Sequence, residues 1–137
     1  MTNFETGESL LREARDCLLD MERAFERESW NLVVRRAQEA VELSLKGALA
    51  MMGLEYPKRH DVGDAFAQGC VARKLAIEMA DLDTVREISA RMARDRQPAF
   101  YMERQYLRSE AVRAREGAVW VLVLVERLAE RLRMGHP

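Results

Sequence analysis

The chain has 137 residues, 48% hydrophobic and 33% charged, with seven glycines and three prolines; this suffices for one domain with a real core and excludes a disordered, collagen-like or low-complexity chain. Twenty-two Lys and Arg face 23 Asp and Glu, a formal net charge of -1, which excludes a polycation of the histone type. Two cysteines and two histidines, far apart in sequence, write neither a disulfide framework nor a Cys/His zinc site.

The first eight residues are polar and acidic, without the basic and apolar regions of a secretory signal. Leu10, Leu11, Ala14, Cys17, Leu18, Met21, Ala24 and Phe25 then recur by threes and fours, one apolar stripe of a first helix. Ser29 is a good N-cap for a second helix, whose stripe runs from Val33 to Met52. Gly53 is a C' residue, and Pro57 closes the following turn. Glu42 and Lys46 stand at i and i+4 in the favourable order, a surface support of a few tenths of a kcal/mol. Cys17 and Cys70 read as two reduced, half-buried thiols of a cytoplasmic protein.

Asp61 is the expected cap of a third helix with Val62, Ala65, Phe66 and Cys70 inward; Gly63 and Gly69 make it the least regular. A fourth starts at Asp81 or Asp83 and breaks before Pro98, because the residue preceding a proline avoids the helical region. Residues 94–108, RDRQPAFYMERQYLR, form an aromatic and basic connection, and Ser109 caps a last helix to about Arg133. Met51, Met52 and Met79 read as gap-filling core. No alternating β-branched run occurs, so residues 1–137 are expected to form a single all-α domain, an up-and-down bundle of four to five helices.

One stretch departs from simple amphipathicity. Residues 117–125, GAVWVLVLV, are apolar on every face, yet as a helix they cover only about 14 Å, too little to span a membrane. Either this helix is central or one of its faces is covered at a subunit interface; a homodimer is the preferred expectation.

Charge is unevenly placed. Residues 1–28 carry eight acids and four Arg, a net of -4, whereas residues 86–115 carry eight Arg and four acids, a net of +4. Either the two segments neutralise one another, within the bundle or across a dimer, or the basic one meets an anion.

Catalytic motifs are missing: no glycine-rich phosphate loop, no His-Glu-x-x-His, no Cys-x-x-Cys and no paired Glu-x-x-His. The acids at Asp16, Asp20, Glu22 and Glu26 read as a solvated face, so no metal or cofactor is expected. Two segments carry binding chemistry. LEYPKRHD (54–61) sets Lys58, Arg59 and His60 near a helix N-terminus, a loop-borne phosphate site, unless Asp61 merely caps and His60 is an ordinary loop residue. In 94–106, Arg96, Tyr101, Arg104 and Tyr106 alternate cation and aromatic, suited to stacking on a base while pairing with its phosphate, unless they are tyrosines packed on Arg stems.

RAQEAVELSLKGALAMMGLEYPKRHD (36–61), RQPAFY (96–101) and the helix start SEA at Ser109 resemble the HEPN domain family, in the same element order over roughly residues 5 to 132. The resemblance implies a small helical bundle, usually dimeric. It also implies a nucleotide- or RNA-phosphate-binding role, often beside a minimal nucleotidyltransferase in a toxin–antitoxin pair. Many members are metal-independent ribonucleases with an Arg-x4–6-His motif paired across the dimer. There the arginine would steady the phosphate while the histidine moves the proton of a 2'-OH. This chain has no His between residues 61 and 135, and the only literal match, Arg131 with His136, lies at the chain's end. The expectation is a non-catalytic subunit binding nucleotide or RNA phosphate through Lys58, Arg59, His60, Arg96 and Tyr101. The alternatives are a ribonuclease and a purely structural interaction subunit.

Overall fold

A computed structural model describes residues 2–136, which form five helices and no strand: α1 (Asn3–Glu26), α2 (Trp30–Met51), α3 (Gly63–Ala72), α4 (Met79–Phe100) and α5 (Arg108–Met134). Met1 and Pro137, the two ends of the expected 1–137 domain, lie outside the described residues. All five helices feed one apolar cluster, with Leu11, Leu45, Phe66, Val85 and Val125 fully buried in it.

The central element is α2. Its apolar stripe widens until most of its second half is buried, and it packs on α1, α5 and α4 in turn. This settles how the 117–125 run is used. Ala118, Val121, Leu122 and Val125 of α5 face the core, but Val119 and Val123 remain 39% and 44% exposed. The bundle therefore does not enclose this helix.

The α1–α2 contact is unusually close. The two helices cross where Gly7 meets Gly47, and a Cβ placed on Gly7 would lie 2.6 Å from the Gly47 carbonyl oxygen. At the other end of α2 the chain turns as expected: Gly53 has φ +76°, its N–H donates to Ala50, and the Leu54 N–H donates to Leu49. These two bonds satisfy the carbonyls that a helix end leaves free.

Ser29 is the N-cap residue of α2 as expected, although its side chain makes no capping bond. Other boundaries differ from the sequence reading, each for a local reason. Asp61 lies one residue before the Val62 N-cap; its Oδ1 accepts from Gly63 N–H at 3.3 Å and from the Ser89 hydroxyl at 2.8 Å. Helix α4 starts at Met79 and does not stop before Pro98. The bond that proline removes would end on the carbonyl of Arg94, an exposed residue that water can serve. Buried Ala99 meanwhile keeps the last turn docked. Ser109 is not the cap of α5, because the Glu110 carboxylate accepts the Leu107 N–H at 2.9 Å and starts the helix at Arg108. Met51 and Met52 are core, but Met79 is 57% exposed.

Three arginine–glutamate pairs tie α1 to α5 in antiparallel order: Glu8–Arg133 at 2.8 Å, Arg15–Glu126 at 2.9 Å and Glu22–Arg115 at 2.8 Å. The hydrogen bond from Arg133 holds the Glu8 carboxyl below its ordinary value. Only the third of these pairs joins the acidic 1–28 segment to the basic 86–115 segment, so neutralisation within the bundle does not explain the arginine cluster. Cys17 and Cys70 are both free, and burial pushes each thiol up to about 11.

Candidate functional site

Along α2, Arg35, Gln38, Glu39, Glu42 and Lys46 recur at helical spacing and share one side. The two segments singled out in the sequence meet the two ends of this strip. The 53–62 loop lies against its C-terminal half. The last turn of α4 lies against its N-terminal half.

Glu42 organises the C-terminal half. It accepts hydrogen bonds from Lys46 Nζ at 2.7 Å, Gln38 Nε2 at 2.8 Å and His60 Nδ1 at 2.9 Å. Burial by itself would raise this carboxyl, but the bonds from Lys46, Gln38 and His60 outweigh it and hold the group below 4.5. An ionised carboxylate can only accept, so His60 donates its Nδ1–H to Glu42, and Nε2 has no hydrogen-bond partner among the described residues. Lys46 and Glu42 are only 13% and 14% exposed, so this pair is not the surface support that its spacing suggests. Lys46 also lies 5.7 Å from the centre of the Tyr56 ring. Lys58 and Arg59 are exposed and have no carboxylate within 4 Å among the described residues.

The N-terminal half is built differently. Arg35 lies over the Phe100 ring at 4.4 Å, and Phe100 meets Tyr101 edge-on at 4.9 Å. Phe100 and Tyr101 are 52% and 68% exposed, which leaves ring surface open for stacking. Arg35, Gln38, Glu39, Arg96 and Phe100 line a small cavity of about 60 Å³. Gln38 joins the two halves: it lines this cavity, donates to Glu42, and its buried Oε1 has no hydrogen-bond partner among the described residues.

The eight arginines of residues 86–115 divide clearly. Arg86 pairs with Asp64 and Asp83, Arg91 with Glu87, Arg104 with Glu110 and Arg115 with Glu22, while Arg113 reaches Glu87 only at 4.0 Å. Arg108 stacks on Phe25 and Trp30. Arg94 and Arg96 have no carboxylate within 4 Å among the described residues and are exposed. Arg104 and Tyr106 thus leave the site: Tyr106 is buried, with Arg104 over its ring at 4.3 Å and its hydroxyl donating to Asp95 at 2.9 Å. Burial and the Asp95 carboxylate both push that phenol upward. Both are packing residues, as the alternative reading of the segment had it.

Sequence reasoning passed over Arg35, Gln38, Glu42 and Phe100 as site residues. The available signal was the recurrence of polar positions 35, 38, 39, 42 and 46 along one side of a helix whose other side is apolar. It also passed over Asn31, for which no signal existed. Its Nδ2 donates to the carbonyls of Ala99 (3.3 Å) and Arg104 (2.9 Å), while Oδ1 accepts from Tyr106 N–H (2.8 Å), fixing the segment that presents Phe100 and Tyr101. Arg131 and His136 share a different cavity, of about 300 Å³, with Arg73; Arg131 donates to the Ala76 carbonyl and His136 stacks on Phe4. Among the described residues no cluster of His, Cys, Asp or Glu could hold a metal, and no helix is long and apolar enough to cross a membrane.

In comparisons with known proteins, the family model of the HEPN domain matches residues 8–128. Neither the curated proteins nor the solved structures gave a match.

Proposed function

The chain belongs to the HEPN domain family, and from that premise we propose that it is a non-catalytic subunit binding nucleotide or RNA phosphate along the polar side of α2. It works in the cytoplasm as a homodimer beside a minimal nucleotidyltransferase, in a toxin–antitoxin-like pair. One observation carries the binding role: Lys58, Arg59 and Arg96, all exposed and without carboxylate partners, flank the strip that ends in the open Phe100–Tyr101 rings. Unpaired cations supply phosphate contacts, and exposed rings supply a base platform. His60 contributes through its free Nε2. Arg96 and Tyr101 stand at the spacing of the Arg-x4–6-His motif with a tyrosine in the histidine's place, which supports the absence of catalysis.

Fluorescence polarisation with labelled single-stranded RNA tests the binding. Arg96→Ala, and separately Lys58→Ala with Arg59→Ala, should each weaken binding by about threefold to tenfold in low salt and lower the salt dependence by about 0.7 per lost phosphate contact. Arg104→Ala should lower the melting temperature instead, through Tyr106 and Glu110. An affinity that none of the cation substitutions changes, or no binding at low salt, would leave the structural-subunit reading standing. The nucleotidyltransferase partner should co-purify in low salt and be lost at high ionic strength, more readily from the Arg94→Ala, Arg96→Ala double variant.

One observation favours the ribonuclease reading. Glu42 fixes the Nδ1–H of His60 and leaves Nε2 without a partner among the described residues, the arrangement a general base needs for a 2'-OH. Incubating the protein with mixed RNA in EDTA separates the two readings. Intact RNA is expected, and cleavage that disappears in His60→Ala would make the chain an enzyme.

A further inference from the structure

Gln38 holds an orphaned acceptor in the wall of the binding strip. The side chain is 1% exposed, and Glu42 fixes the sense of its amide. The contact of 2.8 Å to the ionised Glu42 carboxylate admits only the NH₂ end of Gln38, because that carboxylate has no proton to give. The end left over is Oε1. Among the described residues it is the one buried side-chain oxygen or nitrogen without a hydrogen-bond partner. Native proteins leave few such atoms unmet.

The cavity that Gln38 lines narrows the choice of donor. At about 60 Å³ it is too small for a whole base, whose ring must stay outside on the exposed Phe100 and Tyr101. Only a group that projects from the ring can enter. Arg96 and Phe100 are exposed and form the rim, Arg35 and Glu39 are half-buried, and Gln38 is the most deeply buried wall residue. A ring carbonyl is served by the Arg96 guanidinium at the rim and leaves Oε1 unmet. An exocyclic amino group is repelled by that guanidinium and meets acceptors further in, at Oε1 and the Glu39 carboxylate. Oε1 is covered in the free chain, but Arg35, Glu39 and Arg96 are long side chains whose rotamers can open the wall without moving backbone. Because Oε1 is already out of water, its new bond is not offset by desolvation on the protein's side.

We propose that Gln38 reads the base: its Oε1 accepts from the exocyclic amino group of a base stacked on Phe100, so the strip prefers adenine, cytosine or guanine to uracil. The inference rests on the nucleotide- or RNA-binding reading above and adds to it a residue that determines specificity. Glu42 is then a positioning residue for this readout, since it holds Nε2 and thereby commits Gln38 to accepting.

Fluorescence polarisation at low salt with the full chain and labelled hexanucleotides tests it in two matched pairs. One sets oligocytidylate against oligouridylate; the other sets oligoadenylate against the same oligomer with purine, which lacks only the amino group, in place of adenine. The amino-bearing member of each pair should bind about tenfold more tightly. Differences in stacking between purines and pyrimidines cannot produce this, because each pair keeps its ring type. Gln38→Leu keeps the bulk and removes the acceptor, and should bring both ratios to within about twofold, with circular dichroism melts confirming that it folds. Parallel titrations with cytidine and uridine monophosphates assign the source: a ratio already present there points to a free nucleotide, and a ratio in the hexamers alone to RNA. Equal affinities within both pairs, or ratios that Gln38→Leu leaves intact, would overturn the base readout and leave the binding strip standing. No binding of any of the four oligomers would overturn the strip and the readout together.

Discussion

Gly7→Ala should lower the melting temperature by about 10 °C, a loss of about 3 kcal/mol for a chain of this length. In an exposed helix the same change stabilises by up to about 1 kcal/mol, because alanine is the better helix former. Here the new Cβ would sit 2.5 Å from Met51 Cγ, 2.6 Å from the Gly47 carbonyl oxygen and 2.8 Å from the Met51 backbone nitrogen. Two of those atoms are backbone, so no rotamer change relieves the clash. The helices must separate, and α1 then loses its packing against the central helix. Thermal melts of the two proteins decide it, and a variant as stable as the native chain would show that the α1–α2 crossing is looser than described.

Glu42→Ala should cost about 2–3 kcal/mol and disturb the site at the same time. The substitution leaves the ammonium of Lys46, whose side chain is only 13% exposed, uncompensated, and strips Gln38 Nε2 and His60 Nδ1 of their acceptor. Removing one partner of a buried pair is far more costly than the pair is stabilising. The pH dependence has a definite sign. The folded carboxyl lies below its ordinary 4.5, so its stabilising contribution is complete above that value and is lost as the pH falls through the lowered one. The gap between native and variant should therefore be widest near neutrality and close in acid. Denaturant melts at several pH values measure it, and a gap that stays constant into acid would exclude Glu42 as the source.

The fold was largely legible because the apolar periodicity is strong. Stripes at Leu11 to Ala24 and Val33 to Leu49 mark α1 and α2, and Gly53 marks where α2 ends. What was not legible depended on neighbours. Pro98 signals a break, but the free carbonyl falls on exposed Arg94 and the helix continues. Serine at 109 signals a cap, but Glu110 reaches the Leu107 N–H first. The apolar run at 117–125 could mean a central helix or a covered face, and only the position of α2 in the middle of the bundle decides between them.

The candidate site was legible in its parts and not in their connection. Lys58, Arg59 and His60 stand out by residue type and by a proline-fixed loop, Arg96 and Tyr101 by the mixture of cation and ring. That both groups address one side of α2 follows from the crossing of α2 and α4 and from the reach of His60 back to Glu42, contacts between residues 18 apart or more. No spacing rule carries that information. The division of the arginines is tertiary as well: Arg96 and Arg104 look alike in sequence, yet one is unpaired and the other lies on Tyr106.

The most direct measurement is a titration of isotope-labelled protein with short single-stranded RNA, followed through its backbone and arginine side-chain NMR resonances at low salt. The expected result is a continuous set of shifts at residues 35–46, 56–61 and 94–102, with α5 residues 113–130 unaffected. Shifts confined to α5 or to the Arg73–Arg131 end, or no shifts at all, would contradict a single binding strip along α2.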